Sequence, residues 1–383
     1  MGGGDCQKCT PGCIVTEGLL FTVWIRNTWF NQTDVDEFKD LGINTVRILL
    51  GYWIVEEFVD RKMEFYPRSG IEQLHRGLKQ LKEAGIVAIL GHHVLPGVGQ
   101  INEPFSGACT DDPQFYTDQN YHRALVWAAV LTGLSHLYPD FSSVFSILAA
   151  NEPVGDANRT PGFGKYFKQF VQTVRATEAL LGAGGRQYAR RGLLFNSPAS
   201  GTVTEKSHSR ITETCGSGEV CDAILEAIPI LINMSSELGG FDMNYAFGIG
   251  RLALMSQPPL MTNFMEINWQ HNSPSNPADV AMGPQSYDHH LYYYFGDVAA
   301  PDPESYMKSI CNLRRREKAA KFGNNPMWFG EWSLGTEFIA MDEFMRDWAD
   351  AQKFTYSKSL GWIFWNWKLE ESEEITALIA GRW

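Results

Sequence analysis

The chain has 383 residues, 44% of them hydrophobic and 20% charged, so it is long enough and apolar enough to bury a large core. A formal net charge of −12 excludes the basic face that nucleic acid or an anionic membrane surface requires, and leaves a neutral substrate compatible. No apolar run reaches the roughly 18 residues that a membrane span needs.

Residues 1–18, rich in Gly and Cys, read as an irregular arm that precedes a single domain over 19–383. No secretory leader is visible, and Met1-Gly2-Gly3-Gly4 reads as an altered start, from which the expectation is that a native leader was removed. Leu19–Trp24 is a candidate first strand. Thr33–Leu41 is a short helix, with Thr or Asp capping its start, acids in its first turn and Gly42 stopping it. Asn44–Leu50 follows as a strand. Glu72–Ala84 is an amphipathic helix, and Ile86–Gly91 is the next strand, leading into His92-His93.

Residues 119–137 are helical. Val144–Ala150 is a buried strand that must stop at Asn151-Glu152-Pro153, because proline cannot continue a central ladder. Phe163–Leu181 is a long helix and Arg191–Asn196 a strand. Residues 201–285 hold one candidate helix, Cys221–Met234, and otherwise read as loop rich in Pro and Asn. Ser286–Tyr292 is a strand end, Ser305–Phe322 a helix, and Pro326–Trp332 a strand that ends in a carboxylate. Asp342–Lys358 is a helix, and Gly361–Trp367 the last strand.

Strands alternate with helices long enough to cross over, which argues a parallel α/β sheet. No Gly-rich phosphate loop follows any early strand, so a (β/α)8 TIM barrel with long βα loops leads over a doubly wound nucleotide fold.

The seven cysteines are Cys6, Cys9, Cys13, Cys109, Cys215, Cys221 and Cys311. No second cluster completes a zinc set, so disulfides are the expected use, with Cys215 and Cys221 closing a small loop and one thiol left free. Sequons at Asn31, Asn158 and Asn233 join the cysteines in suggesting a secreted or cell-wall protein.

The strand ends present Arg47, His92 and His93, Asn151 and Glu152, His289, His290 and Tyr292, Glu331 and Trp332, and Trp365. Burying such groups separately would cost several kcal/mol each, and a shared polar site at the barrel mouth resolves that cost. Two glutamates at strand ends fit glycoside hydrolysis. Glu152 would protonate the departing oxygen, and Glu331 would attack the anomeric carbon while remaining ionised. Arg47 and Tyr292 would hold Glu331, Asn151 would bind the sugar 2-hydroxyl, and His93 and His290 would bind hydroxyls or orient the acid. Trp365, then Trp332 and Trp53, would offer ring faces to the sugar. Alternation sends one of His92 and His93 inward, and the following Pro96-Gly97 favours His93. Against these roles stand blander ones: a solvated loop Glu, a structural ion pair for Arg47, a packed histidine for His289.

The motifs Asn44-Thr-Val-Arg47-Ile-Leu-Leu-Gly51-Tyr52-Trp53, His93-Val-Leu-Pro96-Gly97, Asn151-Glu152-Pro153, Asp288-His289-His290-Leu-Tyr292, Gly330-Glu331-Trp332-Ser333 and Gly361-Trp362-Ile-Phe-Trp365-Asn-Trp367-Lys368 occur in this order. In them the chain resembles family 5 glycoside hydrolases of clan A, most closely the fungal exo-β-1,3-glucanase branch. That branch carries an Asp where Gly91 stands, and its Gly-Gly-Trp-Leu near strand 1 is missing here. The resemblance implies a TIM barrel, a retaining mechanism with Glu152 as acid/base and Glu331 as nucleophile, no cofactor and no metal. The implied substrate is β-1,3-glucan, with β-1,6-glucan or a lipid glycoside as the alternative within the family. A monomer is the default expectation. A different class, a non-catalytic glycan-binding barrel, is disfavoured because Glu152, Glu331, Arg47, Asn151, His290 and Tyr292 are all present.

Overall fold

The computed structural model describes residues 30–64, 66, 68, 70–183, 215, 217–238, 257–266, 269 and 282–368. Its six strands are β1 (Thr45–Gly51), β2 (Val87–Val94), β3 (Val144–Leu148), β4 (Met261–Met265), β5 (Gln285–Leu291) and β6 (Met327–Trp332). All pair in parallel, and their spatial order is their chain order. A doubly wound sheet would reverse its order at a switch point. The continuous winding is instead that of a (β/α)8 barrel. A parallel bridge from Phe329 to Trp362 carries the sheet past β6 into the segment expected as the last strand. The arm over 1–18 and the expected strands Leu19–Trp24 and Arg191–Asn196 lie outside the described residues.

Eight α-helices cover the sheet among the described residues: α1 (Gln32–Asp40), α2 (Ile71–Glu83), α3 (Asp118–Leu137), α4 (Phe163–Leu181), α5 (Glu219–Glu237), α6 (Pro303–Cys311), α7 (Arg315–Lys321) and α8 (Asp342–Tyr356). Asn31 caps α1, where Thr or Asp was expected. Its side chain accepts from Thr33 N while Asp34 accepts from the Asn31 amide at 2.9 Å, a capping box. The Asn31 side chain of that sequon therefore already serves the helix end.

Two expectations need correction. The helix expected over Ser305–Phe322 is two helices, α6 and α7. Asn312 turns its side-chain amide back onto the Lys308 carbonyl at 2.7 Å, a local bond that competes with helix continuation. The strand β4 was expected as loop. Its sequence, Met261-Thr-Asn-Phe-Met, follows Pro258-Pro259 and lacks a clean apolar run, yet it is buried on both sides with Asn263 wholly inside.

Helix α3 is buried on nearly every face, because it lies under the sheet and is covered by α4 and α5. Close approach to α5 depends on Gly133, since a Cβ there would meet the Leu231 side chain at 2.7 Å. Cys215 and Cys221 are joined, as expected, at the start of α5. Cys109 is also disulfide-bonded, and Cys311 is unpaired and exposed. No helix among the described residues is long and apolar enough to cross a membrane.

Candidate active site

Strand β1 and the carboxyl ends of β2, β3, β5 and β6 bring Arg47, His93, Asn151, Glu152, His290, Tyr292 and Glu331 together. Arg47 is the hub. Its Nη1 donates to Glu331 Oε1 at 2.6 Å and its Nη2 to Asn151 Oδ1 at 2.6 Å. Its Nε faces Asp288 Oδ2 at 3.6 Å. Tyr292 donates its hydroxyl to the other Glu331 oxygen, Oε2, at 2.8 Å. Both Glu331 oxygens are thus held by donors, and the side chain is buried. A planar guanidinium suits this divided role, since its donors point in fixed directions.

His290 sits between the two glutamates. Its Nδ1 lies 2.5 Å from Glu152 Oε1 and 3.5 Å from Glu331 Oε2, and its Nε2 lies 3.6 Å from Asp288 Oδ1. Burial by itself would favour the neutral ring. The surrounding carboxylates of Glu331, Asp288 and Glu152 outweigh it and raise the imidazole to about 10. Burial pushes the Glu331 carboxyl above the usual range, against the pull of His290, Arg47 and the Tyr292 hydroxyl. For Asp288 burial also favours the neutral form, but His290 and Arg47 prevail and hold it below its usual range. Two cationic side chains, Arg47 and His290, therefore face three carboxyl groups, Glu152, Glu331 and Asp288. One proton placed among the carboxyls balances the site.

His93 points into this mouth. Its ring lies parallel to that of Trp365, 5.7 Å between centres and 14° between planes, and burial together with the charges of Arg47 and His290 keeps it neutral. His92 turns the other way and stacks on Trp127 of α3 at 4.0 Å. His289 likewise leaves the mouth, packing on Phe329 and bonding Glu266 at 2.9 Å.

Trp332 requires correction. It follows the inward-facing Glu331, so strand alternation turns it outward. It is buried against Tyr356 of α8, Trp362 and Phe364, and it belongs to the core. Trp53 stacks on Tyr66 at 4.1 Å.

Sequence reasoning assigned no role to Asp288, although the residue lies within the quoted motif. Its signal is Gly330: a Cβ there would fall 2.0 Å from Asp288 Oδ1. Glu266, the residue after the missed strand β4, was also not found.

Chemically, Glu152, His290 and Glu331 place one ligand atom each within 4.8 Å of one another. A metal ion could bridge such a set, but His290 already engages Glu152, and Arg47 and Tyr292 already occupy both Glu331 oxygens. One oxygen of each glutamate lies within 4.8 Å of one from the other, an approach that suits the roughly 5–5.5 Å between carboxyl groups of retaining enzymes better than the roughly 6.5–9.5 Å that inverting enzymes leave for water.

The family model Cellulase (glycosyl hydrolase family 5) matches residues 11–371. The chain is 25% identical to a glucan endo-1,6-beta-glucosidase B of Emericella nidulans, over 90% of this chain and 68% of that protein. It is 23% identical to a glucan 1,3-beta-glucosidase of Candida oleophila, but over 40% of this chain and 35% of that one. The rutinosidase of Aspergillus niger superposes with a TM-score of 0.57 at 15% identity, covering 97% of this chain and 84% of that structure, a likeness of fold. A family match over nearly the whole chain, a continuously wound parallel sheet and two facing glutamates agree: the chain belongs to glycosyl hydrolase family 5 and is a glycosidase on a (β/α)8 scaffold.

Proposed function

We propose that the chain is a retaining β-glucan hydrolase in which Glu331 is the nucleophile and Glu152 the acid/base. The observation that carries this is the placing of Glu152 and Glu331 oxygens within 4.8 Å, on either side of His290. In the first step a Glu331 oxygen bonds the anomeric carbon as the glycosidic C–O bond breaks, and Glu152 gives its proton to the departing oxygen. In the second, Glu152 takes a proton from water, the water oxygen bonds the anomeric carbon and Glu331 is released. Arg47 and Tyr292 orient the nucleophile. Asn151 Nδ2 and both ring nitrogens of His93 have no partner among the described residues, which suits them to sugar hydroxyls, with Trp365 as the ring face beside them.

The preferred linkage is β-1,6. Relatives named for that activity match along 90% of the chain, whereas the 1,3-glucosidase of Candida oleophila matches along 40%. The β-1,3 preference expected from the motifs remains the second reading, supported by the motif order and by that shorter match. Two disulfide-bonded sites, Cys215–Cys221 and Cys109, support an oxidising, extracellular setting. Product analysis on β-1,6-, β-1,3- and β-1,4-glucans tests the linkage. Proton NMR of the first product tests the mechanism: the β-anomer is expected, and the α-anomer would rule out double displacement.

A further inference from the structure

The backbone of Glu152 is held at φ +35°. A residue with a Cβ is uncommon there, and such a conformation persists where its surroundings over-determine it. Those surroundings are supplied by the loop between β2 and α3. Gln100 Nε2 donates to the carbonyl of Glu152 at 3.1 Å and to that of Pro153 at 3.3 Å. The other end of the same amide, Oε1, accepts from Ile101 N at 2.9 Å, so the amide cannot flip without losing a bond. Beside it, the buried Tyr116 donates its hydroxyl to the Gly99 carbonyl at 2.7 Å and accepts from Val154 N at 2.7 Å. The turn 152–154 is thus gripped at two carbonyls and one amide by side chains from a neighbouring loop.

We propose that Gln100, seconded by Tyr116, is a positioning residue for the acid/base: it fixes the unusual backbone from which the Glu152 carboxyl reaches His290 and faces Glu331. Its role is not to bind sugar, since the amide nitrogen serves two carbonyls and the amide oxygen serves Ile101. This deepens the function proposed above and rests on Glu152 being the acid/base.

The test uses a dinitrophenyl β-glucoside, whose leaving group needs no proton, alongside the natural glucan. Gln100→Ala, and Gln100→Met as a variant that keeps the bulk but donates nothing, are compared with Glu152→Ala and the unaltered chain. For both Gln100 variants kcat/KM on glucan falls about 10–100-fold, within the range general acid catalysis contributes. On the aryl glucoside kcat/KM is kept while kcat and KM fall together, because the glycosyl-enzyme forms normally and waits for a base. Added azide then restores kcat: its terminal nitrogen bonds the anomeric carbon, the ester to Glu331 breaks, and a β-glycosyl azide leaves without a proton transfer. A merely structural role gives equal losses on both substrates and no response to azide. That result in the Gln100 variants, with the azide response present in Glu152→Ala, overturns the proposal alone. Absence of the response in Glu152→Ala overturns the acid/base assignment on which it stands. If both Gln100 variants fail to fold, Tyr116→Phe carries the same test, with the same two outcomes.

Discussion

His290 Nδ1 stands 2.5 Å from Glu152 Oε1 while the same ring faces Glu331 and Asp288, so one imidazole is shared by three carboxyl groups. Its pKa is raised from 6.5 to about 10, because burial, which favours the neutral ring, is outweighed by the charges of Glu331, Asp288 and Glu152. A group raised on folding contributes stability that is complete below the unfolded value and lost as pH rises through the folded one. The thermal midpoint is expected to fall between 6.5 and 10, and His290→Asn is expected to flatten that part of the profile. Melting curves of both proteins across this range check it, and parallel profiles would count against a cationic His290.

The acidic limb of kcat/KM should reflect Glu331. Burial raises its carboxyl from 4.5, so activity is lost as pH falls through a value above the ordinary glutamate range. His290→Asn removes one of the two cations that oppose that shift, and the limb should move to still higher pH. An unmoved or lowered limb in the variant would argue against ionised Glu331 as the essential form.

Exchange of the two glutamates should separate their roles. Glu331→Gln leaves no group able to form the glycosyl ester, so turnover should drop by at least about 10³-fold on glucan and aryl glucoside alike, with the fold and glycan binding kept. Glu152→Gln should cost about 10²–10⁴-fold on glucan and far less in kcat/KM on an activated aryl glucoside. Steady-state kinetics on the two substrates decide this, and equal losses in Glu152→Gln would remove the acid role.

Gly330→Ala should be damaging although it adds one methyl group. The new Cβ would lie 2.0 Å from Asp288 Oδ1, so the carboxylate must leave its place beside Arg47 and His290. Overpacking of this kind costs about 1–3 kcal/mol, and each ~1.4 kcal/mol lost from the transition state is tenfold in rate. A variant with full kcat/KM would show that Asp288 is not needed where it stands.

Asp34 ties α1 to the far end of the chain. It accepts from the Asn31 amide at 2.9 Å and from Trp367 Nε1 at 3.0 Å, and it pairs with Lys368. Burial favours the neutral carboxyl, but these partners prevail and hold its pKa below the usual range. Asp34→Ala is expected to cost about 1–3 kcal/mol in urea unfolding. Because the group is depressed on folding, this loss should shrink as pH falls through the carboxylate range, and a loss that does not change with pH would contradict the ion pair.

Much of the site was legible because strand ends in a parallel α/β chain carry a simple signal: an apolar run followed by a polar group. Glu152 and Glu331 follow such runs, and the structure places them in contact with Arg47, His290 and Tyr292. Where a residue's facing was in question, alternation answered it once a neighbour was known to point inward. It sends His92 to Trp127 and His93 to Trp365. The same alternation turns Trp332, which follows the inward-facing Glu331, away from the site and into the core. Strand β4 escaped because Thr262 and Asn263 break its apolar pattern, and burial on both faces cannot be read from a five-residue segment after two prolines. Helix α6 ends at Asn312 because a side chain bonds its own backbone, a competition that periodicity does not register.

By itself, the sequence determined the parallel α/β class, the family and the pair of glutamates, since these rest on local patterns and on motifs in order along the chain. Tertiary structure decided the separation of the glutamates, the contact of His290 with both of them, the charge balance with Asp288 and the grip of Gln100 on the Glu152 backbone. Each of those depends on distances between residues tens to hundreds of positions apart. Closing the sheet sets those distances, and at 2.5–3.6 Å in a buried mouth they govern charge state and geometry together.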